Sequence, residues 1–327
     1  MTGVVPQKPV LEGRDLTKHF HVGGFFSPTV VKAVQGSSLS LYPGYVVALV
    51  GESGSGKSTI IRMLARLYEP TSGEIYYEGE PVFHNSNHKR ELDYRRKVQM
   101  IFQDPFSSLN PVKRVGYHLE RPMILHHKMH KKEALRRSAL ELLQRVALTP
   151  PEEYIEKYPH QLSGGQRQRV AIARTLAVSP RVILADEPIS MLDVSIRLDI
   201  LNLMEALRRD MNIAFLYVTH DIASARYFAD EINVMYAGYI VEKANSEELI
   251  QEPKHPYTQM LLSSVPDPHR GLRTGEGEVT GEIPDLTTLG KGCPFAPRCK
   301  HAMDVCQESM PPRTQLSETR WVRCYLY

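Results

Sequence analysis

Tyr45-Val-Val-Ala-Leu-Val50-Gly51-Glu52-Ser53-Gly54-Ser55-Gly56-Lys57-Ser58-Thr59 is the stretch that decides the fold. Its apolar opening has no polar interruption, as expected of a strand buried on both faces of a mainly parallel sheet. Tyr42-Pro43-Gly44, just ahead, is a turn signal. Glycines come directly after the strand, and Ser58 to Tyr68 takes up helical spacing. Strand, glycine-rich loop and helix in that order make a phosphate cradle. Backbone N–H groups point inward, and the helix adds the positive end of its dipole. Glycine is required because a Cβ would collide with phosphate or forbid the backbone angles. Lys57 is then placed to reach β- and γ-phosphates, and the Ser58 hydroxyl to ligate Mg²⁺.

Working outward, Val182-Ile-Leu-Ala-Asp186-Glu187 is an apolar strand ending in two carboxylates. A strand end sets them at the rim of the sheet, where nucleotide sites form in open α/β folds. Asp186 suits Mg²⁺, directly or through water. Glu187 suits orienting the attacking water, since phosphoryl transfer depends on positioning more than on covalent chemistry. Upstream, Leu162-Ser163-Gly164-Gly165-Gln166 opens a helix, with Ser163 as N-cap and Val170, Ile172 and Leu176 beyond it. Two glycines at a helix start leave N–H groups open to an anion.

The order of these segments resembles the ATP-binding-cassette (ABC) ATPases. The resemblance implies that Ser163–Gln166 meets the γ-phosphate of ATP held by a second subunit, so the site is completed across a dimer. It also implies roles for isolated residues. Gln103, in Met100-Ile-Phe-Gln103-Asp104-Pro, matches the glutamine that senses Mg²⁺ and links core to helical subdomain. His220, ending Phe215-Leu-Tyr-Val-Thr-His220, matches the switch histidine on the γ-phosphate. Phe20 sits where the family has an aromatic stacked on adenine. In Pro188-Ile189-Ser190-Met191-Leu-Asp193, Met191 stands where the family usually has a small residue and Ile189 where it usually has threonine. Ser190 and Asp193 remain, so a working dimer-contact loop with altered packing is expected.

The rest of the chain agrees with an α/β layered core. Val10–Phe20 and Val31–Leu41 read as strands on either side of a Gly/Pro/Phe loop. From about residue 106 to 175 a helical subdomain is expected, including an amphipathic helix over Glu133–Val146. Arg181–Ala185 and Ile213–Thr219 read as strands around a helical Ser195–Arg209 stretch. Glu231–Lys243 reads as a hairpin broken at Ala237-Gly238. Residues 1–245 thus form the nucleotide-binding domain. Residues 246–327 form a second unit, rich in Pro, Gly and charge and too poor in core residues to fold by apolar burial alone.

All four cysteines fall in that second unit, spaced Cys293-x5-Cys299-x6-Cys306-x17-Cys324. A reducing compartment disfavours disulfides. Spacing alone leaves zinc, which commonly uses close pairs absent here, and an iron–sulfur cluster both open. Gly292-Cys-Pro-Phe-Ala-Pro-Arg-Cys299 with Cys306 and Cys324 resembles the C-terminal extension of oligopeptide/dipeptide ABC importer ATPases. So does Pro253-Lys-His-Pro-Tyr-Thr-Gln-Met-Leu-Leu262. That resemblance implies a [4Fe–4S] cluster on the four cysteines, structural rather than redox in use, with Zn²⁺ as the alternative.

The 327 residues carry 42 % hydrophobic and 24 % charged residues and a formal net charge of +3. Such a balance is ordinary for a globular protein and gives no nucleic-acid signature. The apolar runs are too short to cross a bilayer, and the first residues have no signal-peptide core. The expected function is an ATP-hydrolysing importer subunit on the cytoplasmic face of the cell membrane, most simply for oligopeptides or dipeptides. Its partners would be a second, related cassette, two permease subunits and, through them, an extracytoplasmic solute-binding protein. Oligosaccharide or nickel import by the same motor is the alternative, and a non-transport ABC ATPase a distant one.

Overall fold

The computed structural model describes residues 8–23, 29–82, 88–263 and 284–327. The loop at 24–28, part of the expected Gly/Pro/Phe connection, lies outside the described residues. The chain opens with two long strands, β1 (Leu11–Val22) and β2 (Thr29–Leu41), then enters β3 (Val46–Val50) and α1 (Lys57–Leu64). β4 (Ser72–Tyr77) and β5 (Glu80–Pro81) complete an antiparallel sheet of order β2-β1-β4-β5. Helix α1 was expected to reach Tyr68. It stops at Leu64 because Arg66 turns into the left-handed region at φ 56.

α2 (His88–Lys97) leads into β6 (Val98–Ile101). Helices then run without a described strand: α3 (Pro105–Ser108), α4 (Val115–His127), α5 (Lys132–Arg145), α6 (Pro151–Ile155) and α7 (Gly164–Leu176). Helix α5 buries Leu135, Ala139 and Leu143, the face that its sequence spacing marks. The α/β alternation resumes with β7 (Val182–Asp186), α8 (Val194–Met211), β8 (Ala214–Thr219), α9 (Ile222–Phe228) and the hairpin β9 (Glu231–Tyr236) and β10 (Tyr239–Asn245). The hairpin turns at Ala237 and Gly238, with φ of 45 and 87.

The main sheet places β3 between β8 and β9, and β7 and β6 beyond β8, all of them parallel. Strand β3 works as a divider. Val46, Ala48 and Val50 face one core with Ile200, Met204 and Phe228. Val47 and Leu49 face another with Ile60, Leu64 and Leu16. Every residue of β3 is buried, as the unbroken apolar run requires. At about 1.5–3 kcal/mol for each large apolar side chain buried, this strand is a firm anchor for the glycine-rich loop at its carboxyl end.

Beyond the hairpin come α10 (Ser246–Gln251), α11 (Pro256–Ser263), α12 (Asp304–Glu308), β11 (Thr314–Gln315) and β12 (Trp321–Val322). This region builds on the core already present. Tyr257 and Phe295 join one apolar cluster and Trp321 the other. Strand β12 pairs antiparallel with β10 and covers what would otherwise be a free edge. Arg320 is buried against Glu242 at 3.3 Å and Glu248 at 3.0 Å. Glu242 also accepts the N–H groups of Lys254 and His255, each at 2.8 Å. A buried ion pair supplied with further hydrogen bonds in this way tolerates its burial.

Candidate functional site

The loop leaves the carboxyl end of β3 and crosses in front of the sheet. Gly51 is hemmed in so closely that a Cβ would lie 2.1 Å from the Met235 carbonyl oxygen. Gly56, the N-cap of α1, has φ 106, and a Cβ there would lie 2.2 Å from the Ala33 carbonyl oxygen. Gly56 caps α1 with no side-chain bond, so the first N–H groups of the helix are available to an anion. Thr59 is tied to the loop by its N–H to the Gly56 carbonyl at 3.0 Å. Ser53 and Gly54 form the exposed tip and Ser55 lies buried beneath it.

Lys57 folds back over this loop. Its ammonium donates to the carbonyls of Gly51 at 2.7 Å and Glu52 at 2.8 Å. Burial pushes its pKa down, against the upward pull of Glu187, Asp186 and Glu52. Ser58 Oγ donates to Asp186 Oδ1 at 3.1 Å, across 128 residues of sequence. The parallel order β3-β8-β7 makes that meeting possible. Burial pushes the Asp186 carboxyl up, and the Ser58 bond opposes it. A hydroxyl and a carboxylate at this separation are the kinds of oxygen donor that Mg²⁺ takes, alongside phosphate and water.

One residue on, Glu187 sits at φ 45, and its N–H reaches across to the Val218 carbonyl at 2.9 Å. The turned backbone aims the carboxylate away from the strand. Its Oε2 accepts from Gln103 Nε2 at 3.2 Å and lies 3.1 Å from His220 Nδ1. Gln103 lies just after β6, Glu187 just after β7 and His220 just after β8. Three strand ends therefore bring these side chains to one oxygen atom.

Ser163 caps α7 as its sequence suggests. Its Oγ accepts the Gln166 N–H at 3.3 Å, and Gln166 Oε1 accepts the Ser163 N–H at 3.0 Å. This reciprocal box leaves Gly164 and Gly165 as the first helical residues. Among the described residues, no hydrogen bond joins Ser163–Gln166 to the Gly51–Ser58 loop of the same chain. Asp193 caps α8 by position, without a side-chain bond. Ile189 is buried in the core, while Met191 is 56 % exposed, a large apolar side chain on the surface. The Phe20 ring meets Tyr68 edge-on at 5.3 Å, with the Lys18 ammonium 5.3 Å from its centre.

The four cysteines carry free thiols, and all four line one cavity of about 20 Å³ together with Phe295 and His301. Burial pushes the Cys293 thiol up to about 11, and raises Cys299 and Cys324 as well. Among the described residues, no group of three or more His, Cys, Asp or Glu side chains is disposed to hold a metal ion. The donor set thus suits a cluster or zinc in kind. The four thiols share one cavity, although as they stand they do not form a metal-holding group.

Two contacts were not visible in the sequence. The Glu52 N–H donates to the Tyr257 hydroxyl, and Arg298 pairs with the Glu52 carboxylate. Tyr257 lies in the Pro253–Leu262 segment and Arg298 between two cysteines, but nothing in either spacing points at the loop. A groove of about 630 Å³ opens beside the Gln103 segment. It lies between the β6 end and α4, lined by Gln99, Phe102, Ser107, Arg121, Leu125 and Arg174.

Comparison with known proteins fixes the family. The family model described as "ABC transporter" matches residues 34–190, and "Oligopeptide/dipeptide transporter, C-terminal region" matches residues 241–306. The dipeptide transport ATP-binding protein DppF of Haemophilus influenzae is 42 % identical, the match covering 99 % of each chain. The chain belongs to the ATP-binding proteins of ABC transporters. It is therefore an ATP-hydrolysing transporter subunit. The oligopeptide transport ATP-binding protein AppF of Bacillus subtilis is 41 % identical over 98 % of each chain. Among solved structures, the ATP-binding cassette MJ0796, dimeric in a post-hydrolysis state with ADP and phosphate, superposes with a TM-score of 0.64. That match is 32 % identical and covers 72 % of this chain and 98 % of that one. No described helix of this ABC ATPase is long and apolar enough to cross a membrane.

Proposed function

We propose that this chain is the motor subunit of a peptide importer, working at the cytoplasmic face of the membrane. The observation that carries the chemistry is the convergence of Lys57, the Ser58–Asp186 pair and the Glu187–Gln103–His220 group at the carboxyl ends of adjacent parallel strands. The backbone of Gly51–Ser58 and the Lys57 ammonium bind the phosphates of ATP. Ser58, Asp186 and Gln103 would hold Mg²⁺, which would supply charge neutralisation for the phosphoryl group. Glu187 accepts a proton from the attacking water, and His220 holds the γ-phosphate end of the site. Phe20 stacks on adenine. Ser163, Gly164, Gly165 and Gln166 cap the nucleotide of a second cassette, with Asp193 and Met191 in the contact between the two. This arrangement explains why the capped helix start and the loop do not meet within one chain.

The groove beside Gln103 suits a cytoplasmic helix of a permease, since exposed Phe102 and Leu125 border it. Movement of the helical region with Gln103 then links nucleotide state to the permeases. The second cassette is a related chain, and peptide reaches the permeases from an extracytoplasmic binding protein. Dipeptide and oligopeptide transport are named for relatives at 42 % and 41 % identity, which favours peptide over oligosaccharide or nickel. Cys293, Cys299, Cys306 and Cys324 would hold a [4Fe–4S] cluster, or Zn²⁺, as a staple for the tail, and no step of ATP hydrolysis runs through them. Iron and acid-labile sulfide assays on the purified protein separate these: zinc without sulfide ends the cluster reading. Co-purification with the permeases tests the import reading. Peptide-loaded binding protein should stimulate ATP hydrolysis; stimulation by a sugar- or nickel-loaded protein instead would overturn it.

A further inference from the structure

The C-terminal region reaches the phosphate loop with two side chains, and both end on Glu52. The Glu52 N–H donates to the Tyr257 hydroxyl at 2.9 Å. The Glu52 carboxylate accepts both terminal nitrogens of Arg298, at 2.8 and 3.0 Å, as a bidentate pair. The guanidinium is itself held, since Arg298 also donates to the Tyr236 hydroxyl at 3.2 Å. Its side chain is only 6 % exposed. Tyr257 is buried among Tyr236 and Phe295, with ring centres 4.5 and 5.5 Å away. Neither side chain has the freedom of a surface residue.

Glu52 in turn offers its carbonyl to the Lys57 ammonium at 2.8 Å. Direct bonds therefore run from the C-terminal region through one loop residue to the phosphate-binding lysine. The charge matters as much as the geometry. A carboxylate beside a triphosphate cradle repels its ligand unless a cation balances it, and a bidentate guanidinium does so in a fixed orientation. The loop needs such support, because Gly54 and Gly56 adopt positive φ and cannot stiffen it themselves.

We infer that Arg298 and Tyr257 are positioning residues for ATP: the C-terminal region clamps Glu52, pre-forms the phosphate loop and cancels the loop's own negative charge. Arg298 is delivered by the turn Ala296–Arg298, directly before Cys299. The cysteine-bearing segment is thereby tied to nucleotide affinity by contact and not by proximity alone. A purely anchoring ion pair would make a different prediction. Its loss would weaken ATP binding only by undocking the tail, so affinity would fall in step with the Trp321 signal. Loss of a positioning pair costs most when Glu52 is left charged and alone.

The test is a double-mutant cycle on the full chain, read by titration with a fluorescent ATP analogue in the presence of Mg²⁺. R298M is expected to weaken binding about tenfold, the scale of a charge-assisted pair. The same substitution in an E52Q background is expected to cost less than about twofold. Y257F, which keeps the ring and removes only the hydroxyl, is expected to weaken binding about threefold to fivefold. R298K restores part of the loss. In the assembled transporter, R298M should raise KM for ATP with kcat changed by less than about threefold. Trp321 fluorescence reports whether the tail stays docked. Equal penalties in both backgrounds, or unaltered affinity in R298M with the tail in place, would overturn the inference. Should R298M fail to fold, unaltered affinity in Y257F overturns it equally.

Discussion

In a Glu187→Gln variant the side chain keeps its volume and loses only its basic oxygen. The carboxylate is 15 % exposed and held between Gln103 at 3.2 Å and His220 at 3.1 Å. An amide of the same shape leaves β7 and the turned backbone at 187 in place, so folding should change by less than about 1.5 kcal/mol. What disappears is the proton acceptor for water. A positioned general base contributes roughly 10²–10⁴ in rate, which at about 1.4 kcal/mol per tenfold is about 3–5 kcal/mol of barrier. Binding should not suffer. It rests on Lys57 and the loop amides, and removing one of three nearby negative groups eases the approach of a triphosphate. The expected outcome is a kcat at least about a hundredfold lower in the assembled transporter, measured by phosphate release at saturating MgATP. ATP affinity of the isolated chain should hold or tighten, and a closed dimer should accumulate with ATP in size-exclusion runs. A kcat within about threefold of the unaltered protein would show that Glu187 is not the base.

Gly56→Ala would put a Cβ 2.2 Å from the Ala33 carbonyl at φ 106. Backbone strain of this kind costs about 1–3 kcal/mol. Calorimetric ATP titration should thus show at least about fivefold weaker binding with circular dichroism retained, and intact affinity would contradict the cradle geometry. Lys57→Ala removes the buried ammonium that spans Gly51 and Glu52. It should weaken ATP binding in the isolated chain itself, and a loss confined to turnover would contradict its placement. His255 supplies a pH dependence. Burial pushes its pKa from 6.5 down to about 3, so the folded chain keeps it neutral while the unfolded chain takes up a proton. Its contribution to stability is full above pH 6.5 and is lost as pH falls from 6.5 toward 3. The loss at pH 5 is about 2 kcal/mol relative to pH 7.5. Urea midpoints at the two pH values should differ more in the unaltered chain than in His255→Gln; equal differences would contradict the assignment.

How much was legible in the sequence depends on the range of the forces involved. The β3–loop–α1 unit was plain because an apolar run, positive-φ glycines and a helix start are all local signals. Ser163 was plain for the same reason, its capping box spanning three residues. Ser58 and Asp186 were each marked as Mg²⁺ donors by their own motifs, but their meeting follows from the strand order β3-β8-β7, which no local signal gives. Helix α5 was found almost to the residue from its apolar spacing. The tail's family resemblance was legible, but its fold and attachments were not. Its strands are two residues long, too short to show a period, and they add to β10 by backbone bonds that any sequence can make. Its attachments are ionic contacts over long separations, with Arg320 reaching Glu242 and Arg298 reaching Glu52 across 246 residues. Nothing local marks such a pair. The cysteine spacing gave the donor set but not its placement, because the fold alone decides which thiols share a cavity.

The central claim is that ATP is held between the loop of one cassette and the capped helix start of another. Its most direct test is Ser163→Arg in this chain, with the same change at the matching serine of the second cassette. ATP affinity of the isolated subunit and ATP hydrolysis by the assembled transporter are then measured side by side. Affinity should stay within about twofold while hydrolysis falls by at least about tenfold. Hydrolysis at the unaltered rate would contradict the account.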